Sequence, residues 1–259
     1  MTAQRAFVGI TALLAGCCAA VTILCCQRMA AMGGMSMPGG WTMSMAWMRL
    51  PGQSWPGAAS SYLGMWIAMM VAMMSPAILP LLARHRLAMA ASGETRPGWL
   101  ASALGVGYLL VWAVVGLATH AIGLLLATAG MAWPRIASAA PVAAAAVLLV
   151  AGALQCSAWK ARQLDCCRQL PAGHCTLPTG VATALRAGMR LGVRCAGCCT
   201  GLTAALLVLG VMDLRVMAGV TIATTIERLA PAHRPAARAI GAALLAAGVL
   251  LLARVAAGG

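Results

Sequence analysis

The sequence predicts an all-α protein, a polytopic bundle of transmembrane helices. Of its 259 residues, 62% are hydrophobic and 8% are charged, whereas soluble globular proteins average about 25% charged residues. The apolar residues form blocks of about 20, the helix length that crosses about 30 Å of hydrocarbon. The 18 basic residues, against four acidic ones, fall between these blocks, as the positive-inside rule describes. We therefore expect the lipid bilayer of a bacterial inner (cytoplasmic) membrane as the surroundings. Nucleic acid is excluded as a partner, since no basic stripe is interleaved with aromatic residues.

Residues 1–26 are predicted to form the first transmembrane helix, with the N-terminus in the cytoplasm. This helix carries two vicinal cysteine pairs, Cys17-Cys18 and Cys25-Cys26. Cys18 and Cys25, seven residues apart, share a helical face and are candidate metal ligands. Vicinal thiols in a first helix also resemble those of bacterial mercuric-ion importers, which leaves Hg(II) as a rival cargo. The four residues ending at Cys17 have the form of a lipoprotein cleavage box, but the apolar sequence that follows favours an uncleaved helix.

The apolar blocks and the basic loops between them indicate about seven crossings. Residues 62–259 carry all but the first, and their largest basic excess lies in a Cys-rich cytoplasmic loop at 157–194. Residues 195–226 are short for two crossings, but a break at Gly210 and Asp213 favours two short helices joined by an external turn. An interfacial or kinked helix near Asp213 would instead give six crossings. The other predicted blocks are 62–83, 99–127, 136–156 and 240–256.

Residues 27–61 are predicted to form a loop outside the bilayer that is rich in Met, Gly and Trp. An exposed loop has little packing use for so many apolar side chains, whereas thioether sulfur is a soft, neutral ligand that selects Cu(I). The alternative is an interfacial loop that rests its Met and Trp side chains on the membrane surface. Two Met-Ser-Met sequences favour metal and supply the candidate ligands Met35, Met37, Met43 and Met45.

The second helix carries a ladder of methionines. Met65, Met69 and Met73 recur every four residues, and Met70 and Met74 form an adjacent pair with the same spacing. Residues four apart lie on one helical face, so the sulfurs are spaced by about 6 Å along the axis. A soft ion could pass along such a ladder by exchange between neighbouring thioethers. The alternative is that these methionines are flexible core filler.

A cysteine cluster is predicted at the cytoplasmic side. In a reducing compartment such clusters are more often metal ligands or catalytic thiols than disulfides. Cys195, Cys198 and Cys199 are predicted at a helix start, where the helix dipole and Arg194 both favour the thiolate that metals require. The other candidate ligands of this cluster are Cys166, Cys167 and Cys175, with His174 beside them. His120, an ionisable residue within the third block, is a further candidate.

Several sequence blocks between residues 62 and 230 share the spacing of one family of membrane proteins. The most specific is Gly192-x-x-Cys195-x-Gly197-Cys198-Cys199. The others are Trp66-x-x-Met69-x-x-x-Met73-Met74-x-Pro76, Gly107-Tyr108 with Trp112, Gln155 and Lys160 with Leu164-x-x-Cys167-Arg168, and Gly210-Val211-Met212 with Met217 and Glu227. Together these blocks resemble the DUF2182 family. The resemblance implies a metal-binding integral membrane protein associated with copper delivery, without a defined enzymatic reaction.

The chain departs from that family pattern at two positions. Gln163 stands where the family tends to have Cys, three residues after Lys160, and Thr200 stands where an aromatic residue usually follows the Cys-Cys pair. Cys166 and Cys175 could compensate for the first change.

The order of soft ligands along the predicted topology suggests the function. Thioethers bind Cu(I) more weakly than thiolates, so a series from Met outside to Cys inside would carry copper downhill and inward. The leading hypothesis is a Cu(I)-binding membrane protein that imports copper or delivers it to a client, a copper chaperone or a copper enzyme, and is not itself an enzyme. The alternatives are a membrane thiol oxidoreductase, a mercuric-ion importer, and a structural subunit or oligomer within a larger membrane complex.

Overall fold

The computed structural model of this protein describes residues 2–38, 40–49, 52–91, 96–168 and 180–257. Within these ranges the chain forms eight α-helices and one β-hairpin. The helices are α1 (Thr2–Ala31), α2 (Trp55–Ala91), α3 (Pro97–Ala132), α4 (Pro134–Cys156), α5 (Ala158–Arg168), α6 (Val181–Gly210), α7 (Leu214–Leu229) and α8 (His233–Ala256). The predicted all-α helix bundle is thereby confirmed.

Six of the helices in the described ranges, all except α5 and α7, are long and apolar enough to cross a membrane. The surface of the bundle fits that environment, since large apolar side chains such as Leu13, Leu125 and Leu250 are more than half exposed. The chain is therefore an integral membrane protein. The six helices do not include α7, on which the predicted choice between six and seven crossings depends.

Helix α7, which is not among these six, has 16 residues and is about 24 Å long. Just before its start, Met212 contacts Cys26 near the end of α1. Near its end, Glu227 contacts Lys160 of α5. Helix α7 thus extends from the end of the bundle that carries the β-hairpin, here called the hairpin end, toward the end that carries α5, here called the basic end. One face of α7 is buried, whereas Ile222 on another face is 59% exposed.

The predicted break between α6 and α7 is present. Gly210 has a φ of +133°, a conformation that residues with a Cβ rarely adopt. Asp213 then caps α7, because its Oδ1 accepts hydrogen bonds from the backbone N–H groups of Arg215 (2.7 Å) and Val216 (3.4 Å). The acid therefore stabilises a helix start.

The segment 157–194 contains more helix than the predicted loop. Helix α5 occupies 158–168, and α6 begins at Val181. Helix α6 begins earlier than predicted because its first turns carry an exposed stripe of arginines four residues apart, namely Arg186, Arg190 and Arg194. Arginine has high helix propensity and keeps its charge in water, so α6 continues beyond the apolar part of the bundle.

The region expected to be a loop, 27–61, also contains regular structure. Strands β1 (Gly34–Met37) and β2 (Trp41–Ser44) pair antiparallel, with Met35 opposite Met43 and Met37 opposite Trp41. The Trp41 indole N–H donates to the Ala137 carbonyl at 2.8 Å. This hydrogen bond seats the hairpin on the start of α4.

Glycines bring α3 and α6 into close contact. A Cβ added at Gly107 would lie 2.2 Å from the Leu185 carbonyl oxygen, and one at Gly188 would lie 2.0 Å from the Leu104 carbonyl oxygen. Small residues at a helix crossing allow the two backbones to approach, which is a main source of helix association in membranes. This crossing places Tyr108 of α3 beside Cys195 of α6.

The close crossing predicts a contrast between two substitutions on α3. Gly107→Ala should lower the free energy of unfolding by about 1–3 kcal/mol because it overpacks the crossing. Gly105→Ala, where an added Cβ meets nothing within 4 Å, should be neutral or stabilise by up to about 1 kcal/mol. Thermal unfolding in detergent measures both variants. Equal midpoints for the two variants would contradict the proposed crossing.

Candidate soft-metal site

The methionine ladder of α2 faces the interior of the bundle. Met69, Met70, Met73 and Met74 are all buried, and Met65 is partly buried. The orientation of α2 is fixed nearby, because the Trp66 indole N–H donates to the Trp112 carbonyl of α3 at 2.9 Å. The four buried methionines belong to one apolar core together with cysteines of α6, namely Cys195 and Cys199. The structure therefore brings two of the predicted ligand groups into one buried cluster.

Cys195, Cys198 and Cys199 lie inside α6, not at its start. Helix α6 begins at Val181, about four turns earlier, and the dipole effect does not extend beyond the first turn. Arg194 is exposed and points away from the core. The predicted source of thiolate stabilisation was therefore wrong, because the exposed arginines of α6 continue the helix toward its N-terminus.

The cation beside these cysteines is instead Arg228 of α7. Its Nη2 donates to Cys195 Sγ at 2.9 Å and lies 3.6 Å from Cys199 Sγ. The Tyr108 hydroxyl lies 3.0 Å from Cys195 Sγ on the other side. Cys195 and Cys199 lie four residues apart on one face of α6, and both belong to the same buried core. Two adjacent thiols, a guanidinium and a phenol therefore meet in one buried site.

A second buried polar cluster lies directly beside the cysteines. Lys160 of α5 forms an ion pair with Glu227 of α7 at 2.7 Å, and the two side chains are 2% and 1% exposed. Lys160 Nζ also donates to the Cys198 carbonyl at 2.7 Å. Gln155 of α4 donates through Nε2 to the other carboxylate oxygen of Glu227. Four helices are thus joined by one network at the backbone of the cysteine motif.

Helix α5 adds one more thiol to this cluster. Cys167 packs against the small buried cluster that contains Cys198, and its Sγ donates to the Arg194 carbonyl at 3.3 Å. Asp165 fixes α5 to α8 through contacts with His233 at 2.8 Å and Arg234 at 2.7 Å. Hydrogen bonds from Arg234 and His233 hold the pKa of the Asp165 carboxyl below its ordinary value.

Some predicted ligands lie outside the described residues. Cys175 and His174 fall in 169–179, for which the structure is not described, and the side chain of Cys166 is likewise not described. The nine cysteines with described side chains are all free thiols. Among the described residues, no group of three or more His, Cys, Asp or Glu side chains could hold a metal ion.

The methionines of the hairpin divide between the surface and the interior. Met37 and Met43 are buried in a small cluster with Ala127 and Ala137. Met35 is exposed, and Met45 is partly exposed. Packing against the ends of α3 and α4 accounts for the burial of the first two.

The remaining candidates lie at the hairpin end. Cys18 and Cys25 are partly exposed on α1, and it is the neighbouring Cys26 that enters the core. The His120 ring lies 4.6 Å from the Tyr62 ring, centroid to centroid. These three predicted ligands lie apart from the cluster around Cys195.

Arg228 is a residue of this site that the sequence did not predict. On a helix, consecutive residues point about 100° apart, so Glu227 contacts Lys160 and Arg228 contacts the thiols. Glu227 and Arg228 could have been identified from the sequence, because an ionisable side chain within a membrane-embedded segment usually has a buried partner.

Comparison with known proteins adds one finding. A family model described as PpoB2, copper chaperone, matches residues 63–251. This range covers the methionine ladder, the cysteines of α6 and the Lys160–Glu227 pair. It agrees with the expected copper-associated family and extends beyond the predicted range of resemblance into α8. No curated protein and no solved structure matches this chain.

The buried ion pair predicts a strong effect on stability. Lys160→Met should destabilise the protein by about 3–5 kcal/mol, because it leaves the buried Glu227 carboxylate without its cation. The double variant Lys160→Met, Glu227→Gln should recover much of that loss, since no charge is then stranded. Chemical unfolding in detergent measures the three proteins.

The exposed partner of Asp165 supplies the matched control. Arg234→Ala removes an ion pair whose arginine is 61% exposed, so it should change stability by less than about 1 kcal/mol. A double variant no more stable than Lys160→Met would show that lost packing, not the stranded charge, causes the effect.

Proposed function

This chain belongs to the PpoB2 family, a family of copper chaperones, and we propose that it binds Cu(I) between Cys195 and Cys199 and passes it to a client at the basic end. The positive-inside rule makes this end cytoplasmic. The single observation that carries the proposal is the partly buried Arg228 side chain, whose Nη2 lies 2.9 Å from Cys195 Sγ and 3.6 Å from Cys199 Sγ. Soft thiolate ligands select Cu(I).

Charge matching supports this assignment. Two thiolates and one Cu(I) ion carry a net charge of −1, which one guanidinium neutralises at hydrogen-bond distance. A buried charge needs such a partner, because the surrounding helices offer little solvation. The Lys160–Glu227 pair neutralises itself, so it does not supply this positive charge.

The net charge of the metal complex also distinguishes Cu(I) from the divalent ions Hg(II) and Zn(II). Two thiolates and one Hg(II) or Zn(II) ion are neutral together, which would leave the positive charge of Arg228 unbalanced by the metal complex. Zn(II) also prefers four ligands in a structural site. Arg228 therefore favours a monovalent soft cation over the mercuric ion that the vicinal cysteines of α1 suggested.

The methionines of α2 provide a route to this site. Met69, Met70, Met73 and Met74 share the buried core with Cys195 and Cys199. Thioethers are neutral, so they can bind a cation in an apolar interior without bringing further charge there. Because thiolates bind Cu(I) more tightly than thioethers do, exchange from the ladder to the cysteines is downhill. We propose that copper moves in this direction.

Loss of either thiol should abolish tight Cu(I) binding at this site. Cys195→Ser and Cys199→Ser each remove one of the two ligands, whereas Cys17→Ser changes an exposed thiol of α1 and should leave this site intact. Competition with a chromophoric Cu(I) chelator, performed anaerobically on protein in detergent, measures the affinity. Unchanged affinity in both α6 variants would contradict the proposed site.

The arginine gives the sharper test of metal identity. Arg228→Gln should weaken Cu(I) binding by about 10–100-fold, the equivalent of losing a charge-assisted hydrogen bond. Its effect on Hg(II) binding should be smaller, because the mercuric complex needs no balancing cation. Arg228→Lys, which keeps the charge, should retain more Cu(I) affinity than Arg228→Gln. Equal losses for both metals would contradict the charge argument.

The methionine route predicts a kinetic effect without a loss of stability. The double variant Met69→Leu, Met73→Leu conserves volume closely, so it should fold, but it should slow Cu(I) arrival at Cys195 and Cys199 in proteoliposomes. Met131→Leu, on the exposed surface of α3, is the matched control and should not change the rate. An unchanged rate in the double variant would assign these methionines to packing alone.

A further inference from the structure

A second pair of sulfur atoms lies at the hairpin end of the bundle. Cys26 is 2% exposed, and its Sγ lies 4.0 Å from Sδ of Met212. Met212 belongs to the tight turn between Gly210 and Asp213, which the positive φ of Gly210 and the Asp213 cap hold in place. The contact therefore joins the last part of α1 to a rigid turn in the family-matched region.

We propose that Cys26 and Met212 form an outer binding site for a soft monovalent cation, the point at which the cargo enters the bundle. The identity of the cargo as Cu(I) rests on the function proposed above, whereas the site rests on its own geometry. Cys26 lies outside the matched residues 63–251, so α1 contributes a ligand that the family model does not include.

The separation of the two sulfurs fits one metal ion. With metal–sulfur bonds of about 2.3 Å, a separation of 4.0 Å gives an angle at the metal of about 120°. This is the angle of three-coordinate geometry, so a third ligand position stays open. A site that receives an ion from one carrier and passes it to the next ligand needs such an open ligand position.

The charges also balance without a counter-ion. Binding converts the Cys26 thiol to a thiolate and releases its proton to water, while the Met212 thioether stays neutral. One thiolate and one monovalent cation are neutral together, which suits a buried pair.

The pair is connected to the interior by further sulfurs. Cys26, Met217 of α7 and the buried methionines of α2 belong to the same apolar core, and Met212 packs against it. A site with one thiolate and one thioether should bind Cu(I) more weakly than the two thiolates of α6. The outer site would therefore release its ion inward, toward the ladder.

The test uses Ag(I), a redox-stable monovalent probe, on the full-length protein in detergent. Cys26 is modified with methyl methanethiosulfonate, and its modification is read by mass mapping with and without Ag(I). We expect Ag(I) to protect Cys26 in the wild type. Met212→Leu should raise the Ag(I) concentration needed for protection by at least about tenfold, and Met212→Cys, which keeps a sulfur ligand, should restore protection.

Two controls separate folding and the inner site from the outer one. Protection of the exposed Cys17, on the same helix, should not respond to Met212→Leu. The double variant Cys195→Ser, Cys199→Ser should keep Ag(I) protection of Cys26 even though it loses the inner Cu(I) site.

Wild-type protection of Cys26 in the Met212→Leu variant, or no protection in any protein, would overturn the outer site and leave the function proposed for Cys195 and Cys199 standing. If Cu(I) binding is unchanged in the Cys195→Ser, Cys199→Ser variant while Ag(I) still protects Cys26, the outer site stands and the function proposed for Cys195 and Cys199 is wrong.

Discussion

Lys160 and Glu227 form a buried ion pair at 2.7 Å, and the arrangement of the cysteine site depends on it. The pair joins α5 to α7, the Lys160 ammonium binds the backbone of α6 at Cys198, and Gln155 of α4 completes the coordination of the carboxylate. A buried carboxylate or ammonium without its partner would cost several kcal/mol. The helices are therefore held in the one arrangement in which both charges are satisfied. Because Arg228 follows Glu227 directly, the same constraint aims the guanidinium at Cys195.

The division of charge between the two buried clusters gives the site its chemical character. Lys160 and Glu227 cancel each other, whereas Arg228 faces thiols that carry charge only when they lose their protons. In the proposed Cu(I) complex, two thiolates and the metal ion carry one negative charge, which the guanidinium would neutralise. The proposed metal preference would then come from a residue that does not bind metal. Charge matching of this kind operates strongly only where water is excluded.

Sulfur ligands extend through the bundle from one end to the other. Cys26 and Met212 lie at the hairpin end, Met69, Met70, Met73 and Met74 lie along α2, and Cys195 and Cys199 lie toward the basic end. The short helix α7 is central to this arrangement because Met212 precedes its start and Arg228 lies near its end. The hairpin at 34–44 covers the ends of α3 and α4, where it buries Met37 and Met43. Only part of the methionine-rich segment therefore remains available to the solvent.

The sequence by itself determined the membrane-spanning helices, the break at Gly210 and Asp213, the inward methionine face of α2 and the copper-associated family, because apolar length, glycine and four-residue spacing act locally along the chain. It did not determine which helices touch. The helix start expected at Cys195 was wrong, because the exposed arginines of α6 extend that helix by about four turns toward its N-terminus. The Gly107 and Gly188 crossing, the Lys160 network and the approach of Cys26 to Met212 join residues far apart in sequence. Only the tertiary structure could decide these contacts, since they depend on the close packing of separate helices and on the need of each buried charge for a partner.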